Sequence, residues 1–184
     1  MDSETVLIGQ EQIAQRVDEM VDEMVEKCPR DVLDNLLLVG VLRGSFIFLA
    51  DLLRSFHRHG IHPHVDFMTL SSYGDGTVSE GKVKILHDLR EEVAGRDLLV
   101  VDDILDTGRT LFLTRRLFLE RSARSVQTCV LLDKKARRAV EMEADYVGFC
   151  IPDDFVVGYG LDFANRYRGL PYIARLQNSE TARD

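Results

Sequence analysis

The fold of this chain is decided by Leu98-Leu99-Val100-Val101-Asp102-Asp103-Ile104-Leu105-Asp106-Thr107-Gly108-Arg109-Thr110-Leu111. The four leading apolar residues predict a strand that is buried on both faces. The carboxylates Asp102 and Asp103 are expected at the end of that strand, and Asp106 follows them. A short Thr-Gly-Arg-Thr turn comes next, and a helical pattern begins at Leu111. The stretch therefore predicts an acidic loop between a buried strand and the N-terminus of a helix.

Such a loop is suited to a phosphorylated sugar. The backbone N–H groups of Asp106 to Thr110 can hold a monophosphate because they lie at the positive end of the helix. Asp102 and Asp103 cannot usefully face that phosphate, because like charges repel. Carboxylate oxygens suit ribose hydroxyls or magnesium instead, so these two residues are candidates for either partner. The alternative is a plain Asp-rich turn with a helix cap.

Size and charge narrow the classes of protein that are possible. The 184 residues are 45% hydrophobic and 29% charged, which fits one ordinary domain over residues 1–184. No apolar run approaches the roughly 18 residues of a membrane span, and the acidic N-terminus shows no signal peptide. A net charge of −8 argues against nucleic-acid binding. Three widely spaced cysteines show no metal-ligand pattern, so reduced thiols in the cytoplasm are expected.

Predicted strands and helices alternate along the chain. A first helix has apolar residues at helical spacing from Ile13 to Val25 and ends at Pro29, and the apolar run Leu36–Leu42 predicts a buried strand. The second helix opens at Gly44-Ser45, with a predicted inner face of Phe46, Leu49, Leu52, Leu53 and Phe56. Further strands are predicted at Val65–Ser71, Lys82–His87, Ser125–Leu132, Tyr146–Phe149, Phe155–Val157 and Tyr172–Ala174. This alternation predicts an α/β fold with a parallel sheet, in which ligands bind at the carboxyl ends of the strands.

The run from Leu98 to Leu111 resembles the phosphoribosyl-pyrophosphate (PRPP) binding motif of the type I phosphoribosyltransferases. That family has a mainly parallel central sheet flanked by helices, with a small hood formed by the terminal segments. It transfers phosphoribose from PRPP to a nitrogen base with the help of Mg²⁺. The resemblance implies the same fold, cofactor and chemistry here, and it implies that Asp106, Thr107, Gly108, Arg109 and Thr110 hold the 5′-phosphate.

From about Leu36 to Arg175 the chain is similar to the hypoxanthine-guanine branch of this family. The implied partners are PRPP, a purine base and the nucleotide product, with IMP or GMP formed from hypoxanthine or guanine. Neither nucleic acid nor membrane is implied. The branch forms dimers and tetramers, so a homo-oligomer is expected by association with the family.

Two loops of the chain match the pyrophosphate loop and the mobile lid of that branch. In Leu42-Arg43-Gly44-Ser45, the resemblance implies that Arg43 and Gly44 hold pyrophosphate and makes the Leu42–Arg43 peptide bond a candidate for the cis form. Ser72-Tyr73 matches the paired residues of the lid, which would exclude water from a ribose oxocarbenium cation.

The stretch from Ile151 to Asp162 matches the segment that distinguishes the 6-oxopurine enzymes from other branches. The resemblance implies that Phe155 stacks on the purine and that main-chain groups near Val156 read the edge of the base. It assigns Asp162 to magnesium, together with Asp102 and Asp103. The remaining implied roles are purine O6 binding by Lys134, pyrophosphate binding by Arg168 and removal of the purine N7 proton by Asp106 as general base.

Three alternatives remain. The base could be another one: the Phe155–Asp162 run disfavours adenine and uracil but does not separate xanthine from hypoxanthine and guanine. A regulator of the same fold that binds RNA and senses nucleotides would need a basic face, which the net charge of −8 disfavours. A catalytically inactive nucleotide-binding module is disfavoured because every chemical position of the motifs is filled.

Overall fold

A computed structural model of the chain describes residues 3–72 and 83–177. Strands and helices alternate through most of this range. The elements are β1 (Ser3–Ile8), α1 (Gln10–Lys27), α2 (Arg30–Asp34), β2 (Leu37–Leu42), α3 (Phe46–Arg58), β3 (His64–Ser72), β4 (Val83–His87), β5 (Asp97–Leu105), α4 (Arg109–Glu120), β6 (Ser125–Asp133), a 3₁₀ turn (Lys135–Arg137), β7 (Tyr146–Cys150), β8 (Val156–Val157) and β9 (Ile173–Gln177).

The central sheet has the strand order β4-β3-β2-β5-β6-β7. All neighbours pair in parallel except β4, which runs antiparallel to β3 at one edge. A second sheet, with the order β1-β9-β8, joins the two ends of the chain through antiparallel pairs. The structure therefore confirms the predicted α/β fold, with a mainly parallel sheet and a hood built from the terminal segments.

Strand β5 is buried on both faces, as its sequence predicts. Leu99 and Val101 pack into one core cluster and Leu98 and Val100 into the other. The strand does not end before the acid pair, because its pairing with β6 continues to Leu105. The prediction that Asp102 and Asp103 follow the strand was wrong, since both lie within it.

The apolar face of α3 is rotated from the predicted one. Phe48, Leu49, Leu52 and Phe56 are buried, whereas Phe46 is 44% exposed. At 3.6 residues per turn, Phe46 lies about 120° from the centre of the buried stripe, and Phe48 takes its place inside. The prediction for Phe46 was therefore wrong, while Leu53 packs at the margin of the core. In the described ranges, no helix is long and apolar enough to cross a membrane.

Candidate functional site

The acid pair of β5 lies in a poorly solvated part of the molecule. Asp102 is only 7% exposed, and its Oδ1 accepts a hydrogen bond from the Asp103 N–H at 3.0 Å. Burial and the adjacent Asp103 carboxylate raise the pKa of Asp102 well above its usual value. Burial also raises the pKa of Asp103, although hydrogen bonds and the positive charge of Arg168 work in the opposite direction. A cation or a pair of hydroxyl groups would stabilise these carboxylates.

The loop between β2 and α3 lies directly on this acid pair. A Cβ atom at Gly44 would be 1.6 Å from Oδ2 of Asp103, so only glycine allows the present approach. The Leu42–Arg43 peptide bond is cis, which confirms the sequence prediction. The start of α3 is fixed by the buried Ser45 hydroxyl, which donates to the Val41 carbonyl at 2.7 Å.

A turn of the C-terminal segment meets the same loop from another side. A Cβ atom at Gly160 would lie 2.1 Å from the Gly44 carbonyl oxygen, and Gly160 has a φ of 104°. The left-handed conformation and the close approach both require glycine here. Three segments that are distant in sequence therefore meet at Gly44. The Arg43 loop and the acid pair thus lie together at the carboxyl ends of β2 and β5, which is where the α/β fold is expected to bind its ligands.

The segment after β5, residues 106–110, is the predicted 5′-phosphate site, hereafter the phosphate cradle, and it leads into the N-terminus of α4. Gly108 has a φ of 82° and caps α4, which begins at Arg109. The first amides of a helix have no intrahelical acceptor, so N–H groups at the start of α4 can donate to an anion. The Thr107 hydroxyl accepts a long hydrogen bond of 3.4 Å from the Arg109 N–H, and Thr110 lies in the first turn of the helix. The predicted loop before a helix N-terminus is therefore present, and the binding of a 5′-phosphate there stays a prediction.

The two carboxylate oxygens of Asp106 differ in their surroundings. Oδ1 is buried and accepts no hydrogen bond from any residue in the described ranges. Oδ2 lies 3.7 Å from Nη1 of Arg137, whose Nε is 3.2 Å from Oδ2 of Asp153. A buried acceptor without a donor is rare in folded proteins and indicates a place that a ligand can complete.

Lys134 is held next to the Asp106 loop at the end of β6. Its backbone N–H donates to the Leu105 carbonyl at 2.9 Å. Its side chain is 7% exposed, and its ammonium lies 4.0 Å from Oδ1 of Asp153. A buried ammonium requires acceptors. The structure thus brings a cation and the Asp106 carboxylate to neighbouring strand ends.

The predicted purine-stacking residue lies in the hood. Phe155 is 50% exposed and meets the edge of Phe163, with 5.6 Å between ring centroids. Val156 is buried in β8, where it pairs with Arg175 of β9. Phe155 immediately precedes β8, and its half-exposed side chain is accessible to a planar ligand.

Asp162 and Arg168 contact each other. Arg168 pairs with Oδ1 of Asp162 at 2.6 Å and donates to the Gly160 carbonyl at 2.6 Å, while the Asn165 N–H donates to Oδ2 of Asp162 at 2.7 Å. Both residues predicted for the pyrophosphate side are thus adjacent.

The three carboxylates assigned to magnesium do not form one cluster. Among the residues that the structure describes, no group of three or more Asp, Glu, His or Cys side chains could hold a metal ion. Magnesium is usually bound by one or two carboxylates together with substrate phosphates. The buried Asp102–Asp103 pair, with its raised pKa values, fits that mode of binding.

The lid prediction falls largely outside the described ranges. Ser72 ends β3, and Tyr73 is not among the described residues. Arg43 is exposed at the surface of the loop that carries it. The sequence predicts no role for Arg137 and Arg138, because the basic run Lys134–Arg138 is typical of a solvated face. The structure places both beside the Asp106 loop.

The phosphoribosyl transferase domain model matches residues 8–164. The chain is 46% identical to hypoxanthine phosphoribosyltransferase from Escherichia coli (strain K12), covering 93% of this chain and 94% of that protein. It is 46% identical to hypoxanthine-guanine phosphoribosyltransferase from Bacillus subtilis (strain 168), with 96% and 94% covered. It also matches the bifunctional protein TilS/HprT of Listeria monocytogenes at 49% identity, but it spans only 26% of that protein's length.

Solved structures agree with these relatives. A hypoxanthine phosphoribosyltransferase from Staphylococcus aureus superposes with a TM-score of 0.85 at 41% identity, covering 94% of this chain and 91% of that one. The Trypanosoma cruzi hypoxanthine phosphoribosyl transferase gives a TM-score of 0.90 at 38% identity, with 96% and 92% covered. The fold, the motif geometry and the relatives agree: this chain belongs to the phosphoribosyl transferase family, in the branch of the hypoxanthine phosphoribosyltransferases.

Proposed function

We propose that this protein is a magnesium-dependent enzyme that transfers 5-phosphoribose from PRPP to hypoxanthine or guanine, giving IMP or GMP and pyrophosphate. The proposal is carried by two buried groups at the neighbouring ends of β5 and β6. One is the Lys134 ammonium, and the other is Oδ1 of Asp106, which has no hydrogen-bond donor among the described residues. A 6-oxopurine with a proton on N7 presents an acceptor, O6, next to a donor, N7–H. These two groups match one cation and one carboxylate oxygen.

The substrate sugar and phosphate would occupy the strand ends beside this pair. The amides and hydroxyls of Asp106 to Thr110, including those of Thr107, Gly108 and Arg109, would hold the 5′-phosphate. Asp102 and Asp103 would receive the ribose hydroxyls. These roles are supported by the α4 N-terminus, whose amides favour an anion, and by the burial of Asp102.

Pyrophosphate binding is proposed for a second group of residues. Arg43, Gly44 and Arg168 would bind the pyrophosphate, and a planar guanidinium suits its oxygens. Asp102 and Asp103 would hold magnesium as a pair, and Asp162, which forms no cluster with them, would hold magnesium separately; when bound, the metal would neutralise the charge of the leaving pyrophosphate. When magnesium and pyrophosphate are bound, Asp162 and Arg168 would lose part of their contact with each other and contact the metal and the pyrophosphate instead. Ser72 and Tyr73 would belong to the lid that excludes water.

In the reaction, a bond forms between purine N9 and ribose C1 while the bond from C1 to the pyrophosphate oxygen breaks. The bonding electrons leave with pyrophosphate, and the proton on N7 moves to Oδ1 of Asp106. Phe155 would stack on the purine and the main chain at Val156 would read its edge. Positioning and exclusion of water would supply most of the rate, with general-base catalysis by Asp106 adding about 10²-fold or more.

If Lys134 and Asp106 read the purine as proposed, the protein should bind IMP more tightly than AMP, and calorimetry can measure the two affinities. IMP presents O6 to the Lys134 ammonium, whereas AMP presents an amino group, which is itself a donor. We therefore expect IMP to bind at least 10²-fold more tightly than AMP, because a mismatched polar group leaves the buried lysine unpaired. In Lys134→Met this preference should shrink to within a few fold. Equal affinities for IMP and AMP in the unaltered protein would contradict the proposal.

Three further features are proposed with the activity. Residues 1–184 would form one phosphoribosyltransferase domain that acts in the cytoplasm, which is supported by the free thiols of Cys28, Cys129 and Cys150. The protein would form a homodimer or homotetramer. The exposed apolar side chains of Phe46 on α3 and Phe112 and Leu119 on α4 support association. Sedimentation at micromolar concentration tests it, and a monomer would contradict it.

A further inference from the structure

Arg138 lies against the loop that follows β5. Its Nη1 donates to the carbonyl oxygen of Asp106 at 2.6 Å and to that of Leu105 at 3.2 Å. The Arg138 side chain is only 17% exposed, so these hydrogen bonds are largely shielded from water. One cation therefore binds two consecutive carbonyls at the start of the phosphate cradle.

The other arm of the guanidinium is held by Asp133. Nη2 of Arg138 pairs with Oδ1 of Asp133, whose side chain is 6% exposed. Asp133 is the last residue of β6 and lies opposite Leu105 in the parallel pairing with β5. The counter-ion of Arg138 is thus fixed on the strand next to the loop, and a buried pair of this kind is costly to break from one side.

Backbone contacts extend this attachment along the loop. The Ala139 N–H donates to the Thr107 carbonyl at 2.9 Å. A Cβ atom at Gly108 would lie 3.1 Å from Cδ of Arg138, so the stem of the arginine packs against the glycine that caps α4. Residues 138 and 139 consequently contact each of the residues from 105 to 108.

We propose that Arg138 is a positioning residue that fixes the 105–108 loop, so that the phosphate cradle and the Asp106 carboxylate keep their working geometry. A guanidinium offers five N–H donors in a planar fork, so it can bind two carbonyls and a carboxylate at once. The ammonium of lysine keeps the charge but does not have this geometry. Arg138 acts through Asp106 and the cradle, not on the reacting atoms. The inference rests on the proposed function in taking a ribose 5-phosphate group as the occupant of the cradle.

Arg138→Lys should loosen the loop without removing any group that binds substrate. A misplacement of about 1 Å at an active site can cost about 10²-fold in rate. We expect kcat/KM for PRPP to fall by about that factor, divided between a higher KM for PRPP and a lower kcat. The KM for hypoxanthine should change less than threefold, because Lys134 and Phe155 are untouched.

Arg124→Lys is a matched control. Arg124 pairs with the buried Asp97, to which its Nε donates at 2.9 Å. This pair joins the same two strands, β5 and β6, but at the first residues of their pairing, whereas Leu105 and Asp133 form the last. The two variants therefore each remove a guanidinium–carboxylate pair from one end of the same strand pair, although the Arg124 side chain is 60% exposed and that of Arg138 is 17% exposed.

The decisive readouts do not depend on turnover. The Kd of ribose 5-phosphate is measured by calorimetry, and hydrogen exchange is followed at the amides of residues 106–110. Arg138→Lys should weaken ribose 5-phosphate binding about tenfold and accelerate exchange at these amides by a similar factor. Arg124→Lys should leave both values unchanged. Asp133→Asn keeps the arginine but removes its counter-ion, so it should weaken ribose 5-phosphate binding and accelerate exchange by smaller factors. This variant replaces Arg138→Lys in the test if Arg138→Lys does not fold.

The proposal would be overturned if Arg138→Lys binds ribose 5-phosphate as tightly as the unaltered protein and its amides at residues 106–110 exchange at the unaltered rate. The same result in Asp133→Asn would overturn it where that variant is used instead. The same losses in Arg124→Lys would also overturn it, because the effect would then be general loss of stability. If the unaltered protein converts no base but ribose 5-phosphate binding still responds to Arg138→Lys alone, the positioning role stands and the proposed reaction fails.

Discussion

Gly44→Ala tests whether the β2–α3 loop must touch the acid pair for the protein to act on PRPP. The added Cβ would lie 1.6 Å from Oδ2 of Asp103 and 2.3 Å from its Cγ. Because Cβ atoms essentially never come closer than 3.0 Å to such a neighbour, the loop and the carboxylate must separate by about 1.4 Å. The carboxylate has little freedom to retreat, since its Oδ1 accepts the Ile104 N–H at 2.9 Å.

A displacement of this size at the proposed pyrophosphate site should be costly. Misplacement by about 1 Å can reduce rates about 10²-fold, which corresponds to about 2.7 kcal/mol of transition-state stabilisation. We therefore expect kcat/KM for PRPP to fall by at least 10²-fold in Gly44→Ala, measured from initial rates at saturating hypoxanthine. Gly169→Ala is the control, because a Cβ there meets nothing within 4 Å.

Activity close to that of the unaltered protein in Gly44→Ala would refute the contact argument. An equal loss in Gly169→Ala would show that the effect is not specific to this contact. Thermal unfolding of both variants separates a local displacement from global destabilisation, since the local one leaves Tm within a few degrees of the unaltered value.

Three further predictions concern single carboxylates. Asp106→Asn should lower kcat by about 10²-fold or more while leaving the Kd of PRPP within about threefold; undiminished turnover would remove Asp106 from the mechanism. Asp162→Asn should raise the magnesium concentration that gives half-maximal rate several-fold, because one oxygen donor and the partner of Arg168 are weakened; an unchanged magnesium titration would argue against this ligand. The hydrogen bond from Arg124 holds the pKa of Asp97 below its usual value, so Asp97 contributes stability at neutral pH that is lost as the pH falls below about 4. In urea unfolding, the advantage of the unaltered protein over Asp97→Asn should therefore shrink between pH 5 and pH 3, and a constant difference would contradict this reasoning.

The central sheet could be predicted from the sequence because its strands are strongly patterned. Leu98 to Val101 are apolar on both faces, and the structure places them between two cores. Strand β1 shows no alternation of buried and exposed residues, because among its residues 4–8 only Ile8 is buried. Its partner β9 lies at the other end of the chain. Non-local pairing of an exposed strand leaves little trace in local periodicity.

The parts of the site that belong to a motif of several consecutive residues could be predicted from the sequence. Single side chains outside such motifs were predicted less well. The glycine-capped turn before α4 and the cis Leu42–Arg43 bond are found as expected. Arg138 was missed because its position in the basic run Lys134–Arg138 is typical of a solvated face. Its burial depends on where the 3₁₀ turn returns towards β5, which is a tertiary arrangement that no local pattern encodes.

The central claim is that the chain joins phosphoribose to a 6-oxopurine. Pyrophosphate release should be measured with PRPP, magnesium and, in turn, hypoxanthine, guanine, xanthine, adenine and uracil. We expect turnover with hypoxanthine or guanine and at least 10²-fold lower kcat/KM with adenine and uracil. No turnover with any of the five bases, although PRPP binds, would contradict the claim.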